Sequence, residues 1–151
     1  MNKLFESFVA IQLDTALHRA HAPLRLAMQQ RFSLFHDHSN TINPDLILEN
    51  QGEVALVADT KYKRRSGADG TPTDYYQMIT YCTVLGLDHG VIIYPRHEAD
   101  IESKMMVVGS DITIHELSID LDGSQKEIVA AFDQLAWQMM MLAVQESQRI
   151  A

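Results

Sequence analysis

Residues 43–61 read NPDLILENQGEVALVADTK, and the way this run folds decides the rest of the chain. Asp45-Leu46-Ile47-Leu48 reads as a short buried strand opened by Pro44, and Glu53 to Lys63 as a longer one. Asn50-Gln51-Gly52 is the turn between them. Residues that face each other across a hairpin lie equally far from its centre, so a turn centred on Gly52 sets Asp45 opposite Asp59. Directly opposed residues project to the same face. Lys61 lies two residues past Asp59 and shares that face, while Thr60 points the other way. The run therefore predicts two carboxylates and an ammonium converging at one end of a hairpin, at the edge of an apolar sheet.

That constellation has a chemistry. Like charges a few ångströms apart repel strongly, so the carboxylate pair calls for a cation. Mg²⁺ takes oxygen ligands octahedrally, keeps several waters, and typically uses one or two carboxylates plus a substrate phosphate. Such an ion polarises a phosphoryl oxygen and lowers the pKa of a bound water. Lys61 would then orient or help deprotonate the attacking water, or stabilise the charge building on the phosphate. The reaction class is metal-assisted phosphodiester hydrolysis. The bland alternatives are a turn residue for Asp45 and a plain surface ion pair for Asp59 and Lys61. Asp59 resists that reading, because an acid inside a buried strand is costly unless paired or metal-bound.

Pro44-Asp45 followed by Asp59-Thr60-Lys61 on the next strand resembles the PD-(D/E)XK nuclease motif. The strings INPDLIL, VADTKYK and DYYQMITYC are most similar to the nuclease domain of McrC, a component of the 5-methylcytosine-specific restriction system, over roughly residues 1–95. The resemblance implies an α/β fold with a restriction-endonuclease-like core. Its central mixed β-sheet is flanked by helices in αβββαβ order, with extra β structure and a long C-terminal helix. It implies a Mg²⁺-dependent DNA endonuclease, with Mn²⁺ as a substitute. Asp45 and Asp59 would be metal ligands, Thr60 would add its backbone carbonyl, and Lys61 would act on the water. Gln77-x-x-x-Tyr81 resembles a QxxxY motif in which the glutamine positions the water or the phosphate. Lys63, Arg64, Arg65 and Tyr81 would contact DNA. Glu6, in the string FESFV, would be a further metal ligand; a surface acid favoured by the helix dipole stands beside that reading. The partner implied is an McrB-like AAA+ GTPase, and the region that docks on it in McrC-type proteins is expected to be absent, leaving one nuclease domain over residues 1–151. Two rivals remain: a repair or recombination nuclease on the same scaffold, and an inactive nuclease-like module used for binding or assembly.

The bulk properties bound these readings. A chain of 151 residues is long enough for one buried core. It has no apolar run of membrane-spanning length, and no signal peptide is expected. The single cysteine, Cys82, excludes an internal disulfide framework and suits a reducing cytoplasm. A net charge of −8 is awkward for DNA binding, which rests on Lys and Arg neutralising phosphates. Yet four of the twelve basic residues, Lys61, Lys63, Arg64 and Arg65, fall together just after the proposed catalytic strand. The acidic remainder predicts weak DNA binding by the chain alone and delivery by a partner; a tight, salt-resistant gel shift by the isolated chain contradicts this.

Along the chain, residues 2–19 carry a helical apolar arc of Leu4, Phe5, Phe8, Val9, Ala16 and Leu17. Residues 22–37 read as an extended first strand, with an irregularity near Gln29-Gln30-Arg31, followed by a polar turn over His36–Asn40. His36 and His38 lack companions at zinc-ligand spacing, so zinc is not expected. Residues 66–73 read as a Gly-rich loop, and Pro72 as the first residue of a helix running to Leu85, with Thr71 or an Asp74/Gln77 pair as cap. HGVIIYP, residues 89–95, is an apolar strand beside the DTK strand. Residues 105–121 suggest one or two edge strands, and Ser124 with Glu127 caps a long final helix.

Overall fold

The computed structural model describes residues 3–62, 72–96 and 102–150, with residues 146–150 as helix backbone only. Among them the chain runs through α1 (Lys3–Arg19), β1 (Arg25–Met28), β2 (Phe32–Ser33), β3 (Thr41–Ile42), β4 (Leu46–Asn50) and β5 (Glu53–Thr60). It continues through α2 (Pro72–Leu85), β6 (His89–Pro95), β7 (Ser103–Met106), β8 (Thr113–Ile119) and α3 (Gln125–Ile150). Six strands form one mixed sheet in the order β1-β4-β5-β6-β8-β7, and β2 and β3 form a separate small hairpin. This is the α/β architecture expected from the sequence, with helices on the sheet, extra strands and a long C-terminal helix.

The β4–β5 hairpin decides where the acids fall, and its register depends on two features that offset each other. Gln51 and Gly52 both have positive φ, 53° and 83°. That is the two-residue turn whose twist suits antiparallel strands. It pairs Asn50 with Glu53 and Glu49 with Val54. Continued unbroken, this register would set Asp45 opposite Ala58 and turn Asp59 to the wrong face. An extra residue on β5, Ala55, shifts the ladder so that Leu48 pairs with Leu56 and Leu46 with Ala58. One step further, Asp45 comes opposite Asp59. The sequence reading placed the turn centre on Gly52 and reached the same pairing without the bulge.

The sheet separates two apolar layers. Phe5, Val9, Leu13 and Leu17 of α1 and Phe132, Leu135 and Met139 of α3 cover one face, packed on Leu46, Leu48, Leu56 and Val91. Met78, Tyr81 and Cys82 of α2 cover the other, packed on Ile47, Val57, Ile92 and Ile114, with the β2–β3 hairpin alongside. Alternate residues of the central strands serve both layers, which is why β4, β5 and β6 read as continuous apolar runs. The helix α2 makes the crossover between the parallel strands β5 and β6. Ser124 caps α3 as expected: Glu127 N–H donates to Ser124 Oγ at 3.2 Å, and Ser124 Oγ–H donates back to Glu127 Oε1 at 3.1 Å.

Four local expectations change. The DTK strand ends at Thr60, not Lys63, and the expected loop and Thr71 lie outside the described residues. The single strand expected over residues 22–37 is broken at Gln29, whose φ of 52° takes the chain off the β path. The second of the expected edge strands, β8, is interior: it pairs in parallel with β6 and antiparallel with β7, which is the edge. Asp74 lies inside α2, which begins at Pro72, so it does not cap the helix.

Gly90 on β6 sets how closely α2 approaches the sheet. A Cβ there would sit 2.5 Å from Met78 Sδ and 2.8 Å from Cys82 Sγ. Met78 and Cys82 are buried between α2 and the sheet, and one or both must shift to admit it. Gly90→Ala should therefore lower stability by about 1–3 kcal/mol, read as a fall in urea midpoint, and should weaken the site that α2 carries. Among the described residues no helix is long and apolar enough to cross a membrane.

Candidate active site

Asp45, Asp59, Thr60 and Lys61 meet where β4 begins and β5 ends. Asp59 Oδ1 accepts the backbone N–H of Asp45 at 3.1 Å. Asp45 Oδ2 accepts both the backbone N–H and the hydroxyl of Thr60, each at 2.8 Å. Thr60 was expected to face away from Asp45. It engages it because Asp45 stands just before β4, where its carboxylate fills the ladder position of a backbone carbonyl. Both acids are buried, with relative exposures of 3%.

Lys61 continues the sheet, donating its backbone N–H to Ile93 O at 2.9 Å. Its ammonium lies 3.0 Å from Asp59 Oδ2 and 3.6 Å from Asp74 Oδ1. It also donates to Gln77 Oε1 at 2.9 Å. The Gln77 side chain lies against the Tyr81 hydroxyl, one helical turn on, and works to lower its pKa. The Gln77-x-x-x-Tyr81 pair thus stands directly behind the lysine. Tyr81 is buried beside the two acids, with its ring in the α2 layer. The next residue, Tyr62, lays its ring edge-on against Phe5 at 5.6 Å, tying the end of the strand back to α1.

The electrostatics follow from crowding. Burial and the neighbouring Asp45 charge push the Asp59 carboxyl up to about 6, against the opposing pull of Lys61. Burial works to lower the Lys61 pKa, but Asp59, Asp74 and Asp45 outweigh it and hold the ammonium above the ordinary lysine value. Burial and then both aspartates push the Tyr81 hydroxyl well above the tyrosine range. Because Asp59 ionises less readily folded than at the ordinary 3.8, its contribution to metal-free stability is complete below about pH 4. That contribution is lost as the pH rises through about 6, and amounts to about 2–3 kcal/mol. Urea unfolding should therefore show this loss between pH 4 and pH 8 in the wild type. Asp59→Asn should remove it.

Glu6 is buried as deeply as the aspartates, which sets aside the surface reading of its first-turn position. Its Oε1 accepts from Gln29 Nε2, and the same nitrogen donates to Asp45 Oδ1 at 3.2 Å. Glu6 Oε2 is buried with no hydrogen-bond partner.

Residues 1–95, which carry every one of these side chains, match the family described as McrBC 5-methylcytosine restriction system component. The chain belongs to that family. One solved structure with the same fold is a refined half-complex from a tetradecameric assembly of Thermococcus gammatolerans McrB AAA+ hexamers with bound McrC. It matches with a TM-score of 0.71 at 19% identity, covering 92% of this chain. The present chain spans 33% of that longer one. No curated protein matches the chain.

In this McrBC-family chain the candidate site gathers Asp45, Asp59, Lys61, Gln77 and Tyr81, with Glu6 joined through Gln29. Lys63, Arg64 and Arg65 lie outside the described residues. Among the described residues no group of three or more His, Cys, Asp or Glu is arranged to hold a metal ion; the carboxylates of Asp45 and Asp59 stand as a pair, and Glu6 is linked to Asp45 through the Gln29 amide. Sequence reading gave Asp74 only as a weaker candidate in the DYYQMITYC string, and it missed Gln29 and Glu116. Glu116 is buried on β8, level with Asp59 two strands away, and its Oε1 accepts from Tyr75 at 3.2 Å and Ser103 at 2.9 Å. An acid on an alternating strand, out of motif context, carries no signal that it is buried.

Proposed function

We propose that this chain is the nuclease domain of an McrC-type restriction component, a Mg²⁺-dependent endodeoxyribonuclease of the PD-(D/E)XK kind acting on modified or foreign DNA. The observation that carries the reading is the buried, mutually repelling Asp45–Asp59 pair with the Lys61 ammonium against it. A purely structural ion pair needs one carboxylate. A second, at the expense of the first one's ionisation, is explained by a cation that both are built to hold.

The donor set fits a hard ion. Two carboxylates offer only oxygen, and the Thr60 carbonyl, on the same strand edge as the N–H that meets Asp45, offers a third oxygen. Bound there, Mg²⁺ or Mn²⁺ supplies polarisation of a phosphoryl oxygen and a more acidic water. The chain's own residues do the rest. Asp45 and Asp59 fix the site at the hairpin's end, and the desolvated surroundings strengthen every charge in it. Lys61 serves as a fixed positive charge and hydrogen-bond donor, orienting water and facing the charge that builds on the phosphate. Gln77 sets the direction of that ammonium, and Tyr81 steadies Gln77. Lys63, Arg64 and Arg65 would neutralise the DNA backbone, and Tyr81 reaches DNA only if the groups above it part. An McrB-like AAA+ GTPase is the partner this reading calls for, which the chain's −8 charge favours, since DNA must be brought to it.

The test is conversion of supercoiled plasmid to nicked and linear forms by the purified chain, with Mg²⁺ or Mn²⁺ and with chelator. Cleavage with either ion and none with chelator is expected. No cleavage with either ion, at high protein and low salt, counts against an autonomous nuclease.

A further inference from the structure

Gln29 closes β1 in left-handed backbone, φ 52°, a conformation that non-glycine residues hold only when their surroundings fix it. Its backbone N–H donates to Asp45 O at 3.1 Å, one step beyond the last β1–β4 pair. Its side-chain nitrogen donates to Glu6 Oε1 and Asp45 Oδ1. Carboxylates only accept, so this nitrogen must face them. One neutral nitrogen thus stands between buried acids of α1 and β4, where a cation would neutralise both.

The spare acceptor capacity of the site lies on this same side. Asp45 Oδ2 already takes two donors from Thr60, leaving Oδ1, the oxygen that faces Gln29, for a further ligand. Glu6 is 3% exposed, and its Oε2 has no partner. A buried carboxylate oxygen without a donor is costly and is explained by a ligand still to come.

We infer that the Gln29 amide is a displaceable stand-in for the divalent cation, holding Glu6 against Asp45 in the metal-free protein and leaving when the ion binds. This rests on the metal-dependent reading above. It adds that Glu6 becomes a ligand only once Gln29 has moved, and that the glutamine competes with the ion.

Mn²⁺ binding to the full chain, followed by calorimetry and by the electron paramagnetic resonance of free Mn²⁺, tests it. Gln29→Gly removes the amide and suits left-handed backbone; Gln29→Asn also tolerates it but is too short to bridge both acids. Both variants should melt below wild type without metal yet bind Mn²⁺ more tightly, Gln29→Gly by about tenfold, because the competing contact is gone. Adding Glu6→Gln to Gln29→Gly should cancel most of that gain. Equal or weaker Mn²⁺ binding by Gln29→Gly, with wild type binding normally, overturns the stand-in role alone. Absence of Mn²⁺ binding by wild type itself overturns both this role and the metal-dependent reading.

Discussion

On the proposed reading, replacing Lys61 by alanine should lower metal-dependent plasmid nicking by about 10²–10³-fold. The ammonium is held by three groups, at 3.0 Å from Asp59, 2.9 Å from Gln77 and 3.6 Å from Asp74, so its position is set before any substrate arrives. A charge fixed in advance costs no reorganisation when a phosphate becomes more negative, and that is where an effect on rate would originate. Its removal leaves Asp45 and Asp59 in place, so Mn²⁺ affinity should change far less than turnover. That split separates loss of chemistry from loss of the site. Lys61→Arg should recover little, because a planar fork cannot reproduce one compact ammonium between three acceptors. An unchanged nicking rate in Lys61→Ala removes this lysine from the machinery.

The second large effect has opposite signs in two measurements on one variant. Asp59→Asn keeps the shape of the side chain and can still accept from the Asp45 N–H, but it cannot carry the charge that burial and Asp45 oppose. Above about pH 7 the metal-free variant should therefore be more stable than wild type, by about 2–3 kcal/mol. Metal offsets that lead. A divalent ion at a hundred times its dissociation constant stabilises the folded wild type by about 2.7 kcal/mol, a rise in melting temperature of roughly 5–10 °C for a domain of this size. Asp59→Asn should lose that rise. Heat unfolding with and without Mn²⁺ reads both effects. A variant less stable than wild type without metal, and still responsive to it, would show that Asp59 serves the fold and not an ion. Stability given up at a site and regained with its ligand is the usual mark of function.

The hairpin was legible because its apolar runs and Gly-containing turn are local signals, and the Asp45–Asp59 pairing followed from them. The route was not legible: the Gln51-Gly52 turn and the Ala55 bulge each move the register by one residue, and only together do they restore it. The place of Lys61 followed from its spacing two residues past Asp59, and that of Gln77 from the QxxxY resemblance on a helix readable from its apolar pattern. Gln29 could not. Its role depends on a left-handed turn and on two acids brought from α1 and β4, and no periodicity encodes that meeting. The burial of Glu6 was hidden for a related reason: a first-turn acid looks solvent-facing until β1 and β4 close over it. The interior place of β8 is likewise a property of topology, since an alternating strand reads the same at an edge or beside one.

These residues form one argument only if the hairpin's end holds a hard cation. The direct measurement is the anomalous scattering of Mn²⁺ in crystals of the wild-type chain, compared with Asp59→Asn. A peak within about 2.0–2.6 Å of carboxylate oxygens of both Asp45 and Asp59 is predicted, absent in the variant. Saturating Mn²⁺ with no peak between those two side chains, or a peak that survives Asp59→Asn, contradicts the account.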